Sequence, residues 1–347
     1  MFHADVVEPL LTRALPRLCY AAGRLGSGSD VLGLDDATSR DHDWGCRLTL
    51  LVDDSDRDVV PRVSQLLERE LPESFRGHPV RFGVTWDSSH SHKVDVTTVR
   101  DFTVSRLGVD PVGGLAVLDW LALTGQSVLE VTAGPVFTDR TSALAPVRAA
   151  LSWYPPDVER YVLAAGWQRL SQQMPFAGRT ADRGDELGSR LLCGQLAEDL
   201  IFLAFALSRR WAPYRKWRGT VFRTLPVAAA LSDFLGTAVS ASGWRERESA
   251  LASAAEVLLD VQRGLGLPAP ERAVIPFFDR PYRTVDRAVQ EGLLADITDP
   301  DVALLPPLVG SIGQWADSVD VLASPGRRRE LRAAYLAWSA EPADRGE

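Results

Sequence analysis

The chain has 347 residues, 46% of them hydrophobic and 24% charged, with a formal net charge of −8. That length holds two domains of ordinary size, and the composition is that of a globular protein. The acidic balance argues against a surface that coats a polyanion, so an extended DNA or RNA groove is not expected.

In chain order, Val7, Leu10, Leu11, Leu15, Leu18 and Ala22 recur at helical spacing, so a helix is predicted over 6–22 with a kink or break at Pro16. The Gly26-Ser27-Gly28-Ser29 run ends it. A strand is predicted over Cys46 to Val52, followed by a turn at Asp53-Asp54-Ser55-Asp56 that offers an N-cap. Val59, Val63, Leu66, Leu67 and Leu71 mark a second amphipathic helix. The stretches 79–86 and 93–99 alternate well enough to be strands. After Gly113-Gly114 the character changes, and helical spacing dominates over 116–123, 144–151, 158–170, 187–207, 225–241 and 246–265, with shorter helices in the tail. The fold class predicted is α+β, with a small mixed-sheet domain over 1–112 and a mostly α-helical domain over 113–347.

The residues that carry chemistry lie in the first domain. Asp41 and Asp43 stand at i and i+2 in Ser39-Arg40-Asp41-His42-Asp43-Trp44-Gly45. On an extended segment they share a side. Two adjacent carboxylates are costly unless a cation neutralises them, and Mg²⁺ takes carboxylate and phosphate oxygens. The glycines of 26–29 free backbone N–H groups for anionic oxygens. Asp95 sits between Val94 and Val96 on the last predicted strand, where it faces either solvent or something cationic. Read together, Asp41, Asp43 and Asp95 are candidate metal ligands for phosphoryl or nucleotidyl transfer.

Gly26-Ser27, then Asp41-x-Asp43, then an apolar-Asp95-apolar strand resembles the nucleotidyltransferase superfamily, whose fold is that of DNA polymerase β. The bacterial antibiotic nucleotidyltransferases, which add a helical C-terminal domain, are the branch it looks most like. The phrase from Gly26 through Asp35-Asp36 to Gly45 also resembles proteins carrying the domain of unknown function 4037. The resemblance implies that Ser27, with Gly26, Gly28 and Ser29, holds the phosphates of a nucleoside triphosphate. It implies that Asp41 and Asp43 bind Mg²⁺, and that Asp95 binds a second metal or takes the acceptor proton. The implied reaction moves an NMP, AMP from ATP foremost, to a small-molecule or protein hydroxyl, with pyrophosphate leaving. A non-catalytic nucleotide-binding or scaffold protein with the same fold is the alternative.

In the helical domain, Trp211-Ala212-Pro213-Tyr214-Arg215-Lys216-Trp217-Arg218 interleaves aromatics with cations. Such a stretch suits a nucleotide pocket. The resemblance implies that a lysine of the helical half reaches the triphosphate, which Lys216 matches by position, and Tyr214 is a further candidate contact. The bland reading is a helix end with basic residues on its terminal carbonyls. Glu198 is a candidate acceptor-activating base on the resemblance, with an ion pair to Arg190 as its structural alternative. His90 and His92 lack partners at zinc spacing and read as loop histidines. Cys19, Cys46 and Cys193 are far apart with no CxxC, and the opening Met1-Phe2-His3-Ala4-Asp5 lacks the order of a signal peptide. The longest apolar run, 200–207, is too short to span a bilayer. A cytoplasmic protein without membrane contact is therefore expected.

Overall fold

Short apolar and β-branched runs flanked by turn residues become strands in the first part of the chain, and long periodic runs become helices in the second. The computed structural model describes residues 1–36, 44–84, 87–306 and 308–340. These form two compact units, Met1–Leu115 with Ser127–Ser152, and Ala116–Gln126 with Trp153–Glu347. The sequence boundary at 112/113 lies close to the first break, but 127–152 returns to the first unit.

The strands of the first unit are β1 (Tyr20–Gly23), β2 (Arg47–Val52), β3 (Ser74–Phe75), β4 (His78–Pro79), β5 (Arg81–Val84), β6 (Asp87–Thr98) and β7 (Val136–Asp139). Among the described residues they build a five-stranded mixed sheet in the order β5-β6-β2-β1-β7, with a small β3-β4 ribbon beside it. β2 and β6 run parallel, joined through the helix Val60–Glu70, while the other pairs in the sheet are antiparallel. Leu48, Leu50 and Val52 point from β2 into a core with Val63, Leu66 and Leu67 of that helix and with Leu10 and Leu11. The opposite β2 residues, Thr49 and Leu51, are buried too, so both faces of the sheet are covered there.

Two sequence expectations change here. The helix predicted over 6–22 stops at Ala14, after a π-helical first turn over His3–Val7 and the helix Glu8–Ala14, and residues 20–23 form β1. Pro16 cannot supply the N–H that a continuing helix needs. Strand β7 and the helix Gly125–Thr132 stand in a stretch with no predicted element. β7 is only four residues long, and its register with β1 supplies what its sequence lacks. Asp53 does cap as expected, its side chain accepting the Ser55 N–H at 2.9 Å at the entry to a short 3₁₀ turn.

The second unit is built on the antiparallel helices Pro156–Ala181 and Glu186–Leu207, packed with Ala228–Ser240, Trp244–Gly264 and Arg287–Ala295. Trp167, Leu196, Leu200, Leu251 and Leu258 are fully buried at its centre. A two-stranded ribbon, β8 (Val274–Pro276) with β9 (Arg283–Val285), closes one side. No helix among the described residues is long and apolar enough to cross a membrane.

Two histidines of the first unit are expected to make its stability pH-dependent. His3 accepts or donates to the Tyr20 hydroxyl at 3.1 Å, and His92 lies 3.4 Å from Glu68. Burial pushes both imidazoles below their usual value of 6.5, the nearby glutamates opposing it. The unfolded chain therefore binds protons at a pH where the folded unit still holds both rings neutral. Stability is retained above about 6.5 and falls as pH drops through that value toward the folded pKa. Urea melts followed by hydrogen exchange of β2 should show the midpoint falling between neutral and mildly acidic pH, and a His3→Gln/His92→Gln variant should flatten that fall. A variant whose pH profile overlays the wild type would refute the assignment.

Candidate functional site

The end of β1 runs into a loop that is built inward from one arginine. Arg24 is 9% exposed. Its Nε and Nη2 donate to Asp30 at 2.5 and 2.8 Å, Nη1 donates to the Leu25 carbonyl at 2.6 Å, and Nη2 also donates to the Ser27 carbonyl at 2.7 Å. The Gly26 N–H donates to the Glu130 carbonyl at 2.7 Å. The Ser29 carbonyl accepts from Leu32 and Leu34 across the short 3₁₀ turn Asp30–Leu32, and the Ser29 hydroxyl donates to Asp35 at 2.6 Å. Among the described residues, the N–H groups of Ser27, Gly28 and Ser29 have no acceptor. Gly28 is exposed, and Ser27 and Ser29 are half-buried.

Backbone approach sets the glycines. Gly26 and Gly28 have φ of 87° and 136°, in the region that disfavours side chains. A Cβ on Gly134 would overlap the Arg24 carbonyl, so the turn into β7 can lie against β1 only as glycine. Arg106, on the helix Val99–Leu107, brings its guanidinium over Gly26 and lies 3.6 Å from Glu130.

Asp95 shares a sheet row with Gly23, the last residue of the strand that runs into this loop. Gly23 of β1 pairs with Thr49 of β2, and Thr49 pairs with Asp95 of β6. Residues in register project to one face, and the Thr49 hydroxyl on that face donates to the Leu25 carbonyl at 3.4 Å. Asp95 is exposed and has no salt bridge among the described residues. One step along, Arg47 and Lys93 are also paired in register, and both cations lie over the Phe82 ring, at 5.8 and 5.6 Å. Asp95 thus lies on the sheet face where Thr49 meets the carbonyl of Leu25, the residue that leads into the loop. Asp41 and Asp43 lie outside the described residues. Among the described ones no three metal-ligand side chains cluster.

The second unit holds the other candidates. Glu198 does not meet Arg190, which pairs instead with Glu186 one turn before it at 2.9 Å. Eight residues of helix separate Arg190 and Glu198 by about 12 Å along the axis, too far for a direct ion pair. Both Glu198 oxygens are taken by arginines of the next helix, Arg215 at 2.6 Å and Arg218 at 3.1 Å. Asp199 beside it is paired with Arg169 at 3.3 Å, and burial pushes its carboxyl up. Tyr214 is the N-cap position of the helix Arg215–Phe222, so the basic residues open a helix rather than close one. Lys216 is exposed, its ammonium 4.8 Å from the Trp217 ring centre. Trp211 leaves this group and packs with Trp153 and Tyr154 at centroid distances of 4.9 and 4.6 Å.

The profile of a domain of unknown function, DUF4037, matches residues 120–218. The matched stretch takes in Glu198, Tyr214 and Lys216 and leaves out the 26–29 loop and Asp95. The chain is also similar to a solved nucleotidyltransferase-like protein from Exiguobacterium sibiricum, at 13% identity over 76% of this chain and 77% of that one, with a TM-score of 0.35. No curated protein matches the chain.

Arg24, Asp30, Arg106 and Glu130 were absent from the sequence-derived site. Arg24 carried one readable signal, its place two residues before a Gly-Ser loop. Nothing local points to Glu130, which reaches the loop through a backbone carbonyl.

Proposed function

We propose that the chain is a Mg²⁺-dependent nucleotidyltransferase that moves an NMP, AMP from ATP foremost, to an acceptor hydroxyl on a small molecule or a protein. The observation that carries this reading is the 26–29 loop, with its amides lacking acceptors and Asp95 on the sheet face where Thr49 meets Leu25. Unpaired backbone N–H groups at glycine-rich turns receive phosphate oxygens. The donor chemistry fits a hard divalent cation: Asp95 is an exposed carboxylate without a salt bridge among the described residues, and Asp41 and Asp43 add two more carboxylates from the sequence. When bound there, Mg²⁺ would neutralise charge on phosphate oxygens.

The chain's own groups then have these roles. The amides of Ser27, Gly28 and Ser29 hold the β- and γ-phosphates, with the Ser27 hydroxyl beside them. The acceptor oxygen bonds to the α-phosphorus as the bond from that phosphorus to the bridging oxygen breaks, and pyrophosphate leaves. Asp95 takes the acceptor proton or serves as the third carboxylate. The double arginine pairing of Glu198 favours a role in holding the helix Arg215–Phe222 over a role as base.

The test is mass spectrometry of cell extract incubated with the protein, mixed NTPs and Mg²⁺, together with a pyrophosphate-release assay. A nucleotidylated product is expected, and Asp95→Asn should cut its formation by about 10²-fold, the lower end for a lost acid–base group. Undetectable ATP·Mg²⁺ binding by calorimetry would refute the proposal. Tight binding with no product in any extract would favour the non-catalytic alternative.

A further inference from the structure

We infer that Arg24 and Asp30 are the positioning pair of the 26–29 loop, turning its carbonyls inward so that the Gly28 amide, flanked by those of Ser27 and Ser29, faces outward as a donor to polyphosphate oxygens. The inference rests on the phosphate-loop reading above, and it assigns a role to two residues that do not themselves meet the nucleotide.

Peptide planarity makes the link. In a trans peptide the C=O of one residue and the N–H of the next point in opposite directions. The Ser27 carbonyl points at Arg24 Nη2, 2.7 Å away, so the Gly28 N–H points away from the guanidinium. The Leu25 carbonyl likewise points at Nη1, and the opposed Gly26 N–H finds the Glu130 carbonyl at 2.7 Å. Gly28 has no such carbonyl, and its amide is the one left unpaired at an exposed position. Asp30 holds the guanidinium through two oxygens, which fixes the fork that grips both carbonyls. The same pair accounts for the glycine at 28, because a Cβ there would overlap both Arg24 Nη2 and Asp30 Oδ1.

Arg24 and Asp30 cancel each other's charge, so the pair acts through geometry. Lysine keeps the charge but cannot reproduce a planar fork on a carboxylate and two carbonyls. Arg24→Lys should therefore fail where a purely electrostatic role would tolerate it.

The experiment titrates the full-length wild type, Arg24→Lys and Asp30→Asn with sodium tripolyphosphate, reading affinity by calorimetry and the loop by ¹⁵N amide spectra. The wild type should bind saturably with shifts at Ser27, Gly28 and Ser29. Arg24→Lys should bind about tenfold more weakly, the effect of one charge-assisted hydrogen bond. Asp30→Asn should weaken in the same direction, and in turnover assays both should raise the KM for ATP more than they lower kcat. If the wild type does not bind, the phosphate-loop reading and this inference both fall. If it binds with shifts in the loop and both variants match it, the positioning role falls and the proposed function stands. If the shifts lie outside the loop, the phosphate-loop reading falls together with this inference. Should Arg24→Lys not fold, Asp30→Asn decides alone, since it keeps the arginine and changes a side chain that is 33% exposed.

Discussion

Asp43→Asn is expected to lower pyrophosphate release from ATP by about 10³-fold, with Asp41→Asn close behind. A carboxylate that holds a catalytic divalent ion supports several kcal/mol of charge stabilisation, and each 1.36 kcal/mol is tenfold in rate, which gives roughly three orders of magnitude. Asparagine keeps the size and a single neutral oxygen but removes the charge that offsets the ion. The double variant should lose little more than either single one, because under the proposed function the two would hold one ion and such effects are not additive. The measurement is continuous pyrophosphate release at saturating ATP and Mg²⁺. Turnover within threefold of wild type in both variants would sink the assignment of these two aspartates.

Trp167→Ala should have the largest effect on stability. Trp167 is fully buried in the core of the second unit, on the helix Pro156–Ala181. Its indole N–H donates to Gln262 Oε1 at 2.7 Å, and Gln262 is itself fully buried, its amide donating to the Pro268 carbonyl at 2.6 Å. Truncation to alanine leaves a large cavity, at about 3–5 kcal/mol for an aromatic. It also strands the Gln262 oxygen, adding about 1–3 kcal/mol. The sum is roughly 4–8 kcal/mol, comparable to the whole stability of an ordinary domain. Trp167→Phe keeps most of the volume and loses the donor, so it should cost less. Because the chain has two units, local hydrogen exchange of the helices Pro156–Ala181 and Trp244–Gly264 is the appropriate readout. Protection unchanged to within about 1 kcal/mol in Trp167→Ala would contradict this account of the core.

How much was legible in the sequence varies residue by residue. The long helices of the second unit were readable because each repeats apolar residues at 3.6 spacing; three end within a few residues of their predicted bounds, whereas the helix read over 158–170 continues to Ala181. β2 and the later half of β6 were readable because their β-branched and apolar residues suit a covered sheet. Asp95 was readable as an unusual residue, an acid between two valines, and the register row through Thr49 adds what lies beside it. The pairing of Glu198 was misread because an arginine on the same helix looked sufficient, whereas two arginines beyond a turn hold it. Such contacts depend on where the next helix begins, which no local pattern encodes.

The Gly-Ser loop marks the division most clearly. Its composition alone marked a flexible-backbone turn, read there as the end of a helix where the structure has β1, and the sequence placed two aspartates at i, i+2 and a third on a later strand as candidate hard oxygen ligands. Only the tertiary structure decided which way the loop's peptides face. That choice is made by a guanidinium bonded to a carboxylate six residues on, by a glutamate carbonyl more than a hundred residues away, and by a glycine at 134 that lets the chain pass against β1. Peptide orientation costs little to reverse in an isolated glycine-rich segment, so it is settled by long-range partners rather than by local preference.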